Sequence, residues 1–369
     1  MIHLPDGILP MIQMQTQMTE FIDFIKSLVS VPGLSGHEAP VRKLIQEAWA
    51  SLTDELSTSR LGSLHGLQRG VSAEPRRSIL LATHMDAIGL MVTSIDNGFL
   101  HLTQVGGIDP RVLPGQLVTV HGREDLPAVI AQPPARLLPV KDTDTTVPTK
   151  YLLVDTGLAP ERVAELVRVG DLVSFAQAPF MMGSETLAGH TLDNRVSVAA
   201  LTHCLKDLHH RPHPWDVWAV ATVQEEETLG GASTSAYELH PDLAVAIDVT
   251  FASSPGTPSH RTFPLGEGLT LGLGPNIHPA LHKSFKDLAD RLEIPYHVEP
   301  MPRHSGTDAI NLQVAAEGIP TMVIGIPLRY MHTPVEMVAI KDLTRTGRLL
   351  SEFIAGLDES FMERLAWDD

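Results

Sequence analysis

Four apolar runs in this chain each lead into a histidine or a carboxylate, and that pattern leaves few folds open. Ser78-Ile-Leu-Leu-Ala-Thr83 leads into His84 and Asp86, and Trp215 through Val223 into Gln224-Glu225-Glu226. Leu243-Ala-Val-Ala-Ile247 leads into Asp248, and Thr321 through Ile326 leads toward His332. Runs without polar alternation are expected of strands buried on both faces, as in a parallel sheet covered by helices. Helical spacing fills the intervals: Val196 through Leu205, Leu281-Phe285-Leu288-Leu292, and a segment from Asp342 carrying Leu349, Leu350, Phe353 and Ile354. Strands alternating with helices predict an α/β fold, and such sheets collect their polar sites at the carboxyl ends of the strands.

Upstream, Phe21, Phe24, Ile25 and Leu28 keep one helical face behind a Thr19 N-cap, and Pro32-Gly33 ends the segment. Ser35-Gly-His-Glu38 reads as a capping box for a second helix built on Val41, Leu44, Ile45 and Ala48. Residues 1–17 read as a loosely ordered extension. From Gly89 to Phe180 the texture changes to short β-like pieces broken by Gly106-Gly, Pro114-Gly and Pro133-Pro, with a Thr/Asp-rich tip at Lys141–Thr149. The expected organisation is an extension (1–17), a first catalytic segment (18–88), a β-rich insert (89–180) and a second catalytic segment (181–369). A chain of 369 residues accommodates about two such domains.

Composition removes several function classes. With 27 basic against 44 acidic residues the net charge is −17, and a surface this acidic repels nucleic acid and anionic membranes. Cys204 is the single cysteine, so no internal disulfide forms, four-cysteine zinc sites are excluded, and a reducing, cytoplasmic compartment is expected. No run approaches 18 uninterrupted apolar residues and the N-terminus lacks a basic leader region, so neither a membrane span nor a secretion signal is expected.

His84, Asp193, Glu225, Glu226, Asp248 and His332 remain as two imidazoles and four carboxylates at or just beyond predicted strands. Imidazole and carboxylate without thiolate suit zinc, cobalt or manganese. Two divalent ions held by three of the carboxylates keep a positive excess, which favours a bound hydroxide and leaves the fourth carboxylate free to act as a base. His84 and Asp86 are two apart, so Asp86 is placed to orient the imidazole. Glu225 and Glu226 are adjacent and must point apart. The pairs His209-His210 and Met181-Met182, with His240, Trp215, Trp218 and Cys204, read as surface or packing residues.

The strings THMDAIGLMV (83–92), GHTLDNRV (189–196), TVQEE (222–226), AIDVT (246–250), SGTDA (305–309) and RYMHTPVEMV (329–338) resemble, in order, the signature of the cytosolic dinuclear metallo-aminopeptidases. That family includes glutamyl aminopeptidase and the tetrahedral (TET) aminopeptidases, and GGIDPRVLPGQLVTVHG (106–122) resembles its inserted domain. The resemblance implies a zinc-peptidase-like α/β/α sandwich with a mainly β inserted dimerisation domain. It implies two divalent ions per subunit, Zn²⁺ or Co²⁺ with Mn²⁺ as a further candidate. Asp193 would bridge them, His84 and Asp248 would complete one site, and Glu226 and His332 the other. Glu225 would be the general base that removes N-terminal residues from peptides, and Gly306, Thr307 and Asp308 would lie near the first-residue pocket. Partners implied are peptide substrates and further copies of the chain, from a dimer to a tetrahedral dodecamer.

Three departures from the family pattern stand out: Asn194 in place of Asp beside a peptide bond expected to be strained or cis, Glu227-Thr-Leu-Gly230 in place of Val-Gly-Leu-Arg, and Ser305 in place of Gly. Rival readings are a metal-dependent deblocking N-acyl amidohydrolase, a catalytically impaired scaffold, and a glycosidase, which needs paired carboxylates and no metal.

Overall fold

The computed structural model describes residues 8–138 and 146–365. Residues 1–7 of the expected extension and 141–145 of the Thr/Asp-rich tip lie outside the described residues. An eleven-stranded mixed sheet forms the centre, and its four middle strands are the four apolar runs. Asp216–Thr222, Ser78–His84, Leu243–Phe251 and Thr321–Arg329 lie side by side in parallel, with Thr222 opposite His84 and Asp248 opposite Gly325. Ser78–His84 and Leu243–Phe251 are buried almost throughout, which accounts for the missing polar alternation.

Helix Leu192–His209 lies against the His84 and Asp248 strands and against helix Ile340–Ala355. A second group, Gly230–Leu239 and Ala309–Gln313, packs on Asp216–Thr222, Leu243–Phe251 and Thr321–Arg329. Trp49, Trp215, Phe285 and Cys204 are wholly buried in this core. His209, His210 and His240 are exposed, as expected.

The β-rich insert closes into a six-stranded barrel, Gly89–Asp96, Phe99–Val105, Leu153–Asp155, Asp125–Ala131, Leu117–His121 and Leu172–Phe175, with its own apolar core around Leu100, Val120, Ile130 and Val154. Only Met85 to Ile88 separate His84 from Gly89, so the barrel begins close to the end of the His84 strand. Phe180–Met182 pairs with Thr186–Gly189 in the main sheet, so the barrel ends before Phe180.

Two local expectations are corrected. The first helix runs from Ile8 to Ser30, so part of the expected extension is helical. Thr19 is interior to that helix rather than its N-cap, its hydroxyl donating to the Gln15 carbonyl. The second helix, Ala39–Trp49, has Glu38 as its N-cap residue and no capping box, because the Ser35 hydroxyl donates to Asp86 and the Glu38 carboxylate accepts from the backbone of Gly36 and Gln224. No helix among the described residues is long and apolar enough to cross a membrane.

Candidate metal centre

Parallel pairing brings the strand ends together, and the six chemical residues meet there. His84 ends its strand, Asp248 sits within the next, and Glu225 and Glu226 open the short turn of helix Glu225–Thr228. Asp193 enters from the start of helix Leu192–His209, joined to Asn194 by a cis peptide. His332 follows strand Thr321–Arg329. Thr191, Gln224 and His332 have φ of 59°, 58° and 62°, left-handed conformations that side chains other than glycine rarely adopt. Each costs about 1–3 kcal/mol, which the surrounding structure must offset, and all three are, or lie within two residues of, candidate ligands.

The geometry divides into two overlapping groups. His84, Asp193 and Asp248 present ligand atoms within 4.8 Å of one another, and so do Asp193, Glu226 and His332. Asp193 belongs to both, its Oδ1 lying 3.1 Å from His84 Nε2 and its Oδ2 3.3 Å from His332 Nε2. Glu225 and Glu226 diverge as expected: Glu225 Oε2 is 3.8 Å from His84 Nε2, whereas Glu226 Oε2 is 3.3 Å from His332 Nε2.

The electrostatics call for cations. Burial pushes Glu225 up to about 10, aided by Asp248, Asp308 and Glu226 against the pull of His84. Burial and Asp193 push Glu226 up to about 8. Burial opposes charge on His332, yet its bond to Asp193 and the charge of Glu226 raise it to about 9. Burial likewise opposes charge on His84, but Glu225 and bonds to Asp193, Asp248 and Asp86 raise it well above the usual imidazole value. Without metal, protons on these groups absorb the crowded negative charge. Glu226 Oε1 is buried with no hydrogen-bond partner. A lone pair left free in a cluster of carboxylates and imidazoles is what a divalent ion would use, so the donor set fits the expected ions.

The supporting residues depart from expectation in instructive ways. Asp86 is only weakly placed on the His84 ring, 3.5 Å from Nδ1, while its carboxylate accepts the backbone N–H groups of Glu225 (3.0 Å) and Glu226 (3.2 Å) and the Ser35 hydroxyl. It therefore fixes the glutamate turn more than the imidazole. Asp308, expected near the first-residue pocket, is buried, does not line the cavity beside the centre, and accepts from the Thr222 hydroxyl at 2.5 Å. Gly306 and Thr307 do line the cavity beside the centre.

Two residues with clear supporting roles went unnoticed in the sequence. Glu336, 2% exposed, accepts the backbone N–H of Asp193 at 3.1 Å and of His332 at 2.9 Å, tying together two segments that carry candidate ligands. Its only signal is its position four residues after His332. Arg195 is wholly buried and donates to the carbonyls of Leu28, Val31, Gly33 and Met85, locking the first interhelical loop to the residue after His84.

The departures also find places. Asn194 is buried and donates to the Ile247 carbonyl at 2.9 Å, beside Asp248. Glu227 accepts from the Gly106 N–H at 2.6 Å, clasping the barrel's Gly-Gly loop to the centre. The Ser305 hydroxyl donates to Asn276 Oδ1 at 2.7 Å.

The profile of a family described as M42 glutamyl aminopeptidase matches residues 62–349. A lysyl aminopeptidase of Pyrococcus furiosus is 33% identical over 342 residues, covering 91% of this chain and 97% of that one. Among solved structures, an aminopeptidase of the archaeon Desulfurococcus kamchatkensis superposes with a TM-score of 0.89 at 32% identity, over 95% of this chain and 99% of that one. The TET1 peptidase of Pyrococcus horikoshii, described as assembling into a tetrahedron or a large octahedral shell, superposes with a TM-score of 0.80 at 28% identity, over 91% of this chain and 100% of that one.

Proposed function

The chain belongs to the M42 glutamyl aminopeptidase family, and from that premise we propose that it is a dinuclear metal-dependent aminopeptidase that removes N-terminal residues from peptides. His84, Asp193 and Asp248 would hold one divalent ion and Asp193, Glu226 and His332 the second, and Zn²⁺ or Co²⁺, with Mn²⁺ as the third candidate, suits the donor set. Such ions, once bound, would supply Lewis acidity toward the scissile carbonyl and lower the pKa of a bound water. Glu225, whose Oε2 lies 3.8 Å from His84 Nε2 at the edge of the centre, takes the proton of the attacking water and passes it to the departing amine. Asp86 holds Glu225 and Glu226 at fixed angles through their backbone N–H groups. Gly306 and Thr307 border the space for the first residue.

The observation that carries this reading is the sharing of Asp193 between two imidazole–carboxylate groups, with an uncommitted glutamate alongside. We extend the assembly of the TET1 relative to this chain as well: copies associate through the barrel, whose strands run from Gly89 to Phe175, from a dimer up to a dodecamer, in the cytoplasm. The test is metal content per chain, followed by hydrolysis of aminoacyl-p-nitroanilides with and without Co²⁺ or Zn²⁺. About two ions per chain and metal-dependent release from unblocked but not N-acetylated substrates are expected. Turnover of N-acetylated substrates alone, or turnover that survives complete metal removal, overturns the proposal.

A further inference from the structure

The cavity beside the metal centre, about 560 Å³, has a second charged feature that the hydrolytic chemistry does not use. Glu299 stands on the edge strand Tyr296–Pro300 and its side chain reaches over two neighbouring strands. Its Oε1 accepts the Thr250 hydroxyl at 2.7 Å and its Oε2 the Thr270 hydroxyl at 2.6 Å. Between them lies Gly325, opposite Asp248 in register. A Cβ at 325 would collide with the Thr270 hydroxyl and lie 3.1 Å from Glu299 Oε2, so the bare backbone there makes room for this arrangement. The carboxylate is thus held at both oxygens and faces the cavity. Among the described residues no lysine, arginine or histidine forms an ion pair with it. Burial raises its pKa, so a cation brought to it removes a standing cost.

Distance fixes what that cation would be attached to. Thr250 follows Asp248 by two residues on one strand, so both side chains leave the same face about 6.6 Å apart. A lysine side chain spans five bonds of about 1.5 Å, or roughly 6 Å from Cα to Nζ when extended. Met301, Ile310 and Val323 line the same cavity, apolar surface against which a methylene stem packs while its charged head goes on to Glu299.

We propose that Glu299 is the specificity-determining residue of the first-residue pocket and receives the ammonium or guanidinium of an N-terminal lysine or arginine. The inference rests on the aminopeptidase reading above. His304 lines the cavity and is exposed, and Arg303 next to it in the chain is exposed as well, so the opposite preference, for an acidic first residue, is the natural competitor.

The experiment compares kcat/KM of the metal-loaded full chain on p-nitroanilides of lysine, arginine, norleucine and glutamate. Lysine and arginine are expected to exceed norleucine at least about tenfold, since a site built to bind a polar group rejects the analogue lacking it. In Glu299→Gln the lysine value falls at least about tenfold while norleucine stays within about threefold. The amide can still bond both threonine hydroxyls, which both donate and accept, so the variant keeps its pocket. Inhibition of the unaltered enzyme gives a reading independent of any variant: L-lysinol is expected to inhibit at least about tenfold more strongly than L-norleucinol. Release from norleucine or glutamate equal to or faster than from lysine, or an equal loss on all substrates in Glu299→Gln, overturns this inference and leaves the aminopeptidase reading standing. No release from any unblocked substrate overturns both.

Discussion

Replacing Glu336 separates the support of the candidate metal centre from its ligands, because this carboxylate touches no proposed ion yet bonds two ligand-bearing segments. In Glu336→Ala the backbone N–H groups of Asp193 and His332 lose their acceptor in a region where Glu336 itself is 2% exposed. An unsatisfied buried donor costs about 1–3 kcal/mol, so two cost about 2–6 kcal/mol. With an unfolding entropy of about 0.8 kcal/mol/K for a chain of this length, the metal-free protein should melt about 3–8 °C lower. Glu336→Gln retains one acceptor oxygen but turns an amide donor toward the other N–H, so roughly half that loss is expected.

The effect on metal is a second readout, separate from the effect on stability. His332 has a left-handed φ of 62°, and Glu336 is the group that accepts its N–H. Loss of a group supporting a metal ligand typically lowers affinity about 10–100-fold. Competition with a chromophoric chelator should therefore show one ion released 10–100-fold more readily in Glu336→Ala, with a smaller change in Glu336→Gln. Unaltered melting and unaltered metal affinity in Glu336→Ala would refute the claim that this carboxylate holds the two segments in register.

Glu225→Gln should abolish turnover while keeping about two ions per chain, and Asp193→Ala should lose both metal and activity; equal metal loss in the two contradicts the division of roles. Removing metal should make stability strongly pH-dependent. His332, Glu226 and Glu225 have folded pKa values of about 9, 8 and 10, all above their unfolded values, so their stabilising contribution is complete at low pH and is lost as pH rises through about 8–10. Melting of the chelated protein should fall between about pH 6 and 10 while that of the metal-loaded protein changes far less; a flat profile for the chelated form counts against the crowding described. Metal uptake at pH 7 should release protons, visible as a dependence of calorimetric heat on buffer ionisation enthalpy, and no dependence means the imidazoles were already neutral. Arg195→Met leaves four backbone carbonyls without their donor and, at about 1–3 kcal/mol for each buried acceptor left unsatisfied, should cost at least about 3 kcal/mol in chemical denaturation; a loss below about 1 kcal/mol shows that the loop is held by other contacts.

What could be read from the sequence follows from how local each determinant is. His84, Glu225, Glu226 and Asp248 could be placed because an apolar run fixes where a strand lies, and parallel pairing carries neighbouring strand ends to one edge. The barrel was legible only as β-rich texture. Its closure depends on pairings such as Leu90 with Val173 and Val118 with Phe175, whose partners are far apart in the chain and carry no pattern that names each other. Thr19 and Ser35 were misread for a related reason. A hydroxyl ahead of an apolar stripe suggests a cap, but whether it caps depends on what else it can reach. Thr19 lies within a helix already running from Ile8, and Ser35 meets Asp86, 51 residues away in sequence. Asp86, Glu336 and Arg195 act on backbone N–H or carbonyl groups, which every residue has, so no side-chain pattern marks their partners. Glu299 is the extreme case: its environment is assembled from Thr250, Thr270 and the missing side chain at Gly325, on three different strands. Ligands that recur with the period of a strand are therefore legible from one chain, whereas the groups that orient them and the pocket that selects a substrate appear only once the sheet has formed.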